Sequence, residues 1–64
     1  MDKSFVESVI QEKHDLDLRM NGLLKYFGGN ISERERELCN LQYHLMSTLS
    51  TVLLYRINEL SKDD

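Results

Sequence analysis

The stretch LCNLQYHLMSTLSTVLLYRI, residues 38–57, decides the fold of this 64-residue chain. No charged residue occurs between positions 38 and 55, although 30% of the whole chain is charged. Apolar residues recur in the stretch at helical spacing and not at the alternate spacing of a strand. They are Leu38, Leu41, Leu45, Leu49, Val52, Leu53 and Ile57. The pattern predicts a helix with one apolar stripe, which Met46 and Leu60 widen to roughly half of the circumference.

The other side of this helix is polar but uncharged. Its residues are Asn40, Tyr43, His44, Ser47, Thr48, Thr51 and Tyr55, with Leu54 among them. A helix face that meets solvent normally carries lysine and glutamate. We therefore expect this helix to be covered on more than one side.

The first half of the chain predicts another amphipathic helix. Its apolar residues keep a heptad rhythm in which Lys13 fills one core-type position. They are Val6, Val9, Leu16, Met20, Leu23 and Phe27. The opposite face is expected to carry most of the charges, namely Glu12, Asp15, Asp17, Arg19 and Lys25.

Capping signals indicate where each helix begins and ends. Ser4 opens a capping box, with Asp2 as an alternative cap, and Ser32 opens a second capping box with Glu35. Gly28 follows the first helix, at a position where glycine tolerates the left-handed conformation that ends many helices.

These signals predict helices at about 4–27 and 33–60 with a loop at 28–31. Helices joined by so short a loop must be antiparallel neighbours. The fold class is therefore all-α, an antiparallel two-helix hairpin that forms a single domain over residues 1–64.

So small a hairpin buries too little apolar surface to be comfortably stable alone. Cys39 is the only cysteine, which excludes an internal disulfide. His14, His44 and Cys39 lack the spacing of metal ligands, so we expect no metal and no cofactor. Association remains, and we expect a homo-oligomeric helical bundle, a dimer or higher.

Charge and motifs exclude several functional classes. The net charge of −3 gives no global basic field for long nucleic acid. The N-terminus lacks a secretory signal, and residues 38–57 contain too many polar groups for a membrane span, so we expect a cytoplasmic protein. Asp15 and Asp17 diverge on a helix, and Gly28 follows a helix where a phosphate-binding loop would precede one. We therefore expect no catalytic residue and no enzyme.

Gln42 and Arg56 are the most informative polar residues, because a helical wheel places both within the apolar stripe of the second helix. One interpretation buries Arg56 in an ion pair with Glu7 or Asp2 at the start of the first helix, since a buried charge needs a partner. The other interpretation has Arg56 bind an anionic ligand in a cleft of the oligomer.

The first helix carries Glu12-Lys13-x-Asp15-Leu16-x-x-Arg19-Met20-x-x-Leu23-x-x-x-Phe27. This series resembles the pattern E-K-x-E-L-x-x-K-I-x-x-L-x-x-F of a family of small phage proteins first noted in crAss-like phages. Phe27 stands one place later than in that pattern. The second helix matches at Gln42, Met46, Leu53, Arg56 and Ile57, with Leu49 where the family usually has tyrosine.

Helical-hairpin phage proteins of this sort are similar to the anti-CBASS sponge proteins, oligomers that sequester the cyclic nucleotides of bacterial immune signalling. The resemblance implies a phage-type counter-defence protein in the host cytoplasm that holds a cyclic di- or trinucleotide without cleaving it. No ligand residue of the sponge proteins aligns position by position with this chain, so none is transferred.

Candidate ligand residues come from the chemistry that such a ligand needs. Lysine and arginine neutralise phosphates, tyrosine stacks on bases, and uncharged hydroxyls donate hydrogen bonds without bringing like charge. The candidates are Lys25, Tyr26, Ser47, Thr51, Tyr55 and Arg56, with further hydroxyls at Thr48 and Ser50. Tyrosine is also common at protein–protein interfaces, an alternative that stays open for each of them.

Two other functions remain open. A helical inhibitor could bind a host protein through the exposed remainder of its helices. The architecture is also similar to that of the plasmid regulator Rop, a hairpin that dimerises into a four-helix bundle and binds paired RNA loops. The first helix has Glu12, Asp15 and Asp17 where an RNA-binding face would be basic, which weakens the RNA-binding alternative.

Overall fold

A computed structural model describes residues 2–62 as the helices α1 (Lys3–Phe27) and α2 (Glu33–Ser61). The two helices pack side by side as a hairpin measuring 48 × 14 × 12 Å, which confirms the predicted all-α hairpin. The bounds differ from the expected ones by one residue, at the start of α1 and at the end of α2. Residues 1, 63 and 64, which the expected domain of 1–64 includes, lie outside the described residues.

Helix α1 is capped by Asp2 and not by Ser4. The carboxylate of Asp2 accepts from the backbone N–H of Ser4 at 3.0 Å and from its hydroxyl at 3.3 Å. The expected capping box at Ser4 is therefore wrong, and the alternative cap is confirmed. Because the Asp2 carboxylate satisfies an N–H group that has no partner within the helix, α1 begins at Lys3 and takes Ser4 into its first turn.

Helix α2 is capped by Ser32, as expected. The Ser32 hydroxyl oxygen accepts from the backbone N–H of Glu35 at 3.1 Å. The side chain of Glu35 does not complete the box. It turns instead to the thiol of Cys39, which donates to it at 3.4 Å.

The connection uses no left-handed backbone. Gly28 has φ −75° and ψ −8°, and no glycine among residues 2–62 has a positive φ. The expected left-handed glycine is therefore wrong. Helix α1 ends instead in tight turns, because Gly28 N–H donates to the Lys25 carbonyl and Gly29 N–H donates to the Tyr26 carbonyl. Arg36 then donates to the carbonyl of Phe27 at 2.9 Å and ties α2 to the end of α1.

Helix α1 faces α2 with the heptad positions that the sequence predicted. Val9 and Leu16 are buried, and Val6, Lys13, Met20, Leu23 and Phe27 are half-buried. Helix α2 contributes what we call its inner seam: Cys39, Tyr43, Met46, Ser50, Leu53, Ile57 and Leu60. Leu53 is the most buried of these, at 1% exposure, and the core forms around it with Val9 and Leu16.

The leucine stripe of α2 does not pack on α1. Leu53 and Ile57 are covered, whereas Leu45 is 64% exposed, and its neighbours in the stripe are exposed with it: Leu38, Leu41, Leu49 and Val52. Helix α1 therefore covers only part of the predicted half-circumference stripe. The apolar residues of α2 span two seams, and a single neighbouring helix covers only one of them. Tyr43, expected on the polar side, lies in the inner seam and is half-buried.

A polar cluster lies within the hairpin interface. The ammonium group of Lys13 pairs with the carboxylate of Asp17 at 2.7 Å, and the Ser50 hydroxyl donates to the same carboxylate at 2.7 Å from α2. Asp17 was expected with the charges of the opposite face; its side chain is 41% exposed, yet its carboxylate also reaches the interface. The polar positions Lys13 and Ser50 bring it into the interface, because buried polar groups require partners.

Candidate functional site

The exposed apolar face of α2 is a second seam with heptad spacing. We call it the outer seam; its residues are Leu38, Gln42, Leu45, Leu49, Val52 and Arg56. At about 100° per residue, its centre lies roughly 100° around the helix from the inner seam. Both seams therefore run along α2, one covered by α1 and the other open.

Arg56 belongs to the outer seam and is exposed. The ion pairs among residues 2–62 are Lys13–Asp17, Arg34–Glu37 and Lys62–Glu59, so Arg56 pairs with neither Glu7 nor Asp2. The buried ion pair considered from the sequence is therefore wrong. Arg56 precedes Ile57 of the inner seam by one position, and this turns its side chain about 100° away from α1.

Lys25 and Tyr26 lie in the last turn of α1, at the loop end of the hairpin. Tyr26 is 46% exposed. Partial burial raises the pKa of its phenol, and the nearby Glu35 carboxylate raises it further. Burial likewise raises the pKa of the neighbouring Cys39 thiol, again with a contribution from Glu35. Tyr26, Glu35 and Cys39 therefore share one edge of the hairpin.

Three hydroxyls of α2 are engaged within the chain. Thr51 donates to the Ser47 carbonyl at 3.1 Å, and Thr48 donates to the His44 carbonyl at 3.1 Å. Ser50 donates to Asp17, as described above. A ligand that needs donors from Thr48 or Thr51 must therefore replace a bond to the helix backbone.

Within one protomer, the candidate residues do not converge on one pocket. Tyr26 lies beside Glu35, whereas Arg56 lies 21 positions further along α2. At about 1.5 Å per residue these positions are roughly 30 Å apart. Ser47 and Thr51 lie between them, about 140–180° around α2 from the centre of the outer seam. Lys25 and Tyr26 are thus at one end of the hairpin, and Tyr55 and Arg56 are at the other.

Two shallow grooves occur on the described surface, and sequence reasoning missed both. One, of about 190 Å³, is lined by Glu12, Asp15, Leu16, Arg19 and Leu49. The other, of about 370 Å³, lies at the loop end and is lined by Phe27, Glu33, Arg36, Glu37 and Asn40. The heptad offered a signal for the first groove, because Glu12 and Arg19 are seven positions apart and both flank the α1 seam.

Two further features bear on function. Neither helix within residues 2–62 combines the length and apolar character that a bilayer crossing requires. In the same part of the chain, no three histidine, cysteine or acidic side chains lie close enough together to hold a metal ion.

Comparison with known proteins gives one match. The sequence profile of the Sequestin family matches residues 3–59, nearly the whole of both helices. The chain belongs to the Sequestin family. No curated protein and no solved structure gave a significant match. The name Sequestin suggests a sequestering protein, which is consistent with a sponge-like role. The match includes the whole outer seam and the inner seam as far as Ile57, so these residues are part of the sequence that the family profile describes.

Proposed function

We propose that the protein is a phage-type counter-defence protein that sequesters a cyclic di- or trinucleotide immune signal without cleaving it. The observation that carries this proposal is the Sequestin match over residues 3–59. The ligand class comes from the resemblance to anti-CBASS sponge proteins and from the chemistry of the exposed residues.

Exposed cationic and aromatic groups support a phosphate-bearing ligand. Lys25, Tyr55 and Arg56 are all exposed, and so is the ring of Tyr26. Arginine binds phosphate through charge-assisted hydrogen bonds, and tyrosine stacks on a base whatever its identity. The net charge of −3 does not oppose a ligand of two or three phosphates, because only the potential close to the ligand matters.

The hydrogen bonds of the α2 hydroxyl groups support binding of the ligand without its cleavage. A nucleophilic hydroxyl needs a base within hydrogen-bond reach. The hydroxyls of Thr48 and Thr51 donate to helix carbonyls, which do not act as bases. Ser50 donates to Asp17, but that carboxylate is held by Lys13 inside the hairpin interface.

A second candidate is an inhibitor that binds a host protein. The outer seam favours it, because contiguous exposed apolar surface on a small protein marks an interaction site. This candidate differs from the first in needing no small ligand.

Titration calorimetry against cyclic di-adenylate, cyclic di-guanylate and cyclic tri-adenylate tests the proposal. We expect heat with at least one of them at tens of micromolar, and chromatography afterwards should recover the ligand intact. No heat with any of them contradicts sequestration of this class. Recovery of a linear product contradicts the absence of catalysis.

A further inference from the structure

The outer seam of α2 has a spacing that matches itself in reverse. Its residues follow at intervals of 4, 3, 4, 3 and 4 positions from Leu38 to Arg56. Read from either end, the series is the same and is centred on position 47. An antiparallel pair of α2 helices would therefore place Leu38 opposite Arg56, Gln42 opposite Val52 and Leu45 opposite Leu49. Each such layer pairs an a-type heptad position of one helix with a d-type position of the other, as antiparallel helices require.

The charges on the seam distinguish the two orientations. A parallel pair would bring two copies of Arg56 together at one end of the seam, which is unfavourable. An antiparallel pair instead brings Arg56 beside Leu38, one turn from Glu35. Glu35 is half-buried, where the weak thiol of Cys39 donates to it at 3.4 Å and the phenol of Tyr26 lies beside it, and neither group neutralises its charge. Two of the cations near this end are already engaged, Arg34 with the Glu37 carboxylate at 3.5 Å and Arg36 with the Phe27 carbonyl at 2.9 Å.

The antiparallel orientation also sets the position of α1. The two-fold axis of an antiparallel pair is perpendicular to the plane of the two α2 helices, so both copies of α1 lie on the same side of that plane. The result is a four-helix bundle. Because Leu49 lies near the axis, the groove that it lines with Glu12, Asp15 and Arg19 faces the same groove of the other copy. Arg19 of each copy then meets an acidic surface.

We propose that a second copy of this chain docks antiparallel on the outer seam, and that Arg56 of each copy completes a ligand site with Tyr26 and Glu35 of the other. Neither copy holds this site alone, because Tyr26 and Arg56 lie roughly 30 Å apart in one hairpin. The docking rests on the seam itself, whereas the anionic, base-bearing ligand of the composite site rests on the proposed function. The two composite sites are 18 positions apart along α2, about 27 Å, so each takes its own ligand.

Disulfide trapping tests the docking without any ligand. In a Cys39→Ser background, Gln42→Cys protein is mixed with Val52→Cys protein under mild oxidation, and we expect a mixed disulfide as the main product. A disulfide needs Cα atoms within about 7 Å. Gln42→Cys alone is the matched control, since its two thiols are about 15 Å apart in an antiparallel pair but opposite each other in a parallel pair. Rapid self-linking of Gln42→Cys overturns the proposal, and so does a monomer by light scattering.

If the Cys39→Ser change unfolds the hairpin, Cys39→Ala provides the background, and circular dichroism verifies each variant. A second measurement uses variants that retain Cys39. Arg56→Glu should weaken dimerisation about tenfold or more by placing like charge beside Glu35, and Glu35→Arg in the same chain should recover most of it. If Glu35→Arg does not restore the dimerisation that Arg56→Glu weakens, the pairing of these two positions is overturned.

Calorimetry separates the docking from the ligand. With cyclic tri-adenylate or the best cyclic nucleotide of the panel, we expect one ligand per protomer and at least a tenfold loss of affinity in Arg56→Ala and in Tyr26→Ala. Mixed disulfides together with no heat from any nucleotide leave the docking standing and overturn the ligand. Heat of binding from a protein that light scattering shows to be monomeric supports the ligand and overturns the docking. One ligand per dimer overturns the two separate composite sites.

Discussion

The hydroxyl of Ser50 donates to Oδ1 of Asp17 at 2.7 Å, and this hydrogen bond joins a side chain of α2 to a side chain of α1. Lys13 holds the other carboxylate oxygen at 2.7 Å. The bond thus links the middle of one helix to the middle of the other, where both seams carry polar residues among apolar ones. It fixes the axial register of a hairpin whose remaining interface contacts are largely apolar.

We expect Ser50→Ala to lower the free energy of unfolding by about 1–2 kcal/mol, since it removes a hydrogen bond to a charged acceptor. Urea denaturation at one fixed protein concentration measures the change. Thr48→Ala is the matched control. Its hydroxyl donates to a carbonyl of the same helix, so its loss should change stability by no more than about 0.5 kcal/mol. Equal effects of the two variants contradict a role for the inter-helix bond.

Acid should weaken the hairpin partly through Asp17. Its bonds from Lys13 and Ser50 hold the pKa of the carboxyl below its usual value. A carboxyl whose pKa is lower in the folded state contributes stability above its unfolded pKa, and that contribution is lost as the pH falls through the folded pKa. The loss therefore occurs below about pH 4. In denaturation series between pH 6 and pH 2, Asp17→Asn should lose less stability than the unaltered chain, and parallel curves contradict this.

The outer seam should govern association. Leu45 is the most exposed of its leucines, at 64%, and Leu45→Lys should leave a monomer at low micromolar concentration. Leu18→Lys is the control, because Leu18 is similarly exposed, at 56%, on the side of α1 that faces away from α2. Light scattering after size exclusion compares the two variants. A folded, cooperative monomer of the unaltered chain contradicts the expectation, as does an unfolding midpoint that does not rise with protein concentration.

Cys39 should be a slow thiol. It is 4% exposed, and burial together with Glu35 raises its pKa, so little thiolate is present near neutral pH. We expect iodoacetamide at pH 8 to modify the folded protein at least tenfold more slowly than the protein in urea. Thr48→Cys in a Cys39→Ser background gives an exposed reference thiol on the same helix. Equal rates for Cys39 and this reference show that Cys39 is accessible.

The sequence predicted α1 better than α2, and the reason is physical. Helix α1 has one apolar stripe, so the heptad from Val6 to Phe27 leaves no choice of packing face. Helix α2 has two seams, and hydropathy favours the leucine-rich one. The hairpin instead packs on the seam that contains Cys39 and Ser50, whose small side chains fit the interface beside Lys13 and Asp17. Partner choice of this kind depends on both helices together, and no pattern within α2 reveals it.

The candidate site shows the same limit. The residue types were selected for their chemistry, which the sequence displays directly. Their arrangement was not visible, since Tyr26 and Arg56 belong to opposite ends of one hairpin. The hydrogen bond from the Thr51 hydroxyl to the Ser47 carbonyl could not be predicted either, because it depends on the side-chain rotamer that Thr51 adopts on the helix.

The two seams of α2 also bear on how the sequence can diverge over evolutionary time. Two sides of this helix are committed to packing if the outer seam is covered by a second copy, so neutral drift is confined to the third side. That side comprises Asn40, His44, Thr48, Thr51, Tyr55 and Asn58. A saturation library scored for folding should accept charged residues there and reject them at both seams. New ligand preferences would then be expected to arise from this third side, from the side of α1 that faces away from α2 and from the loop, where substitution does not break the assembly.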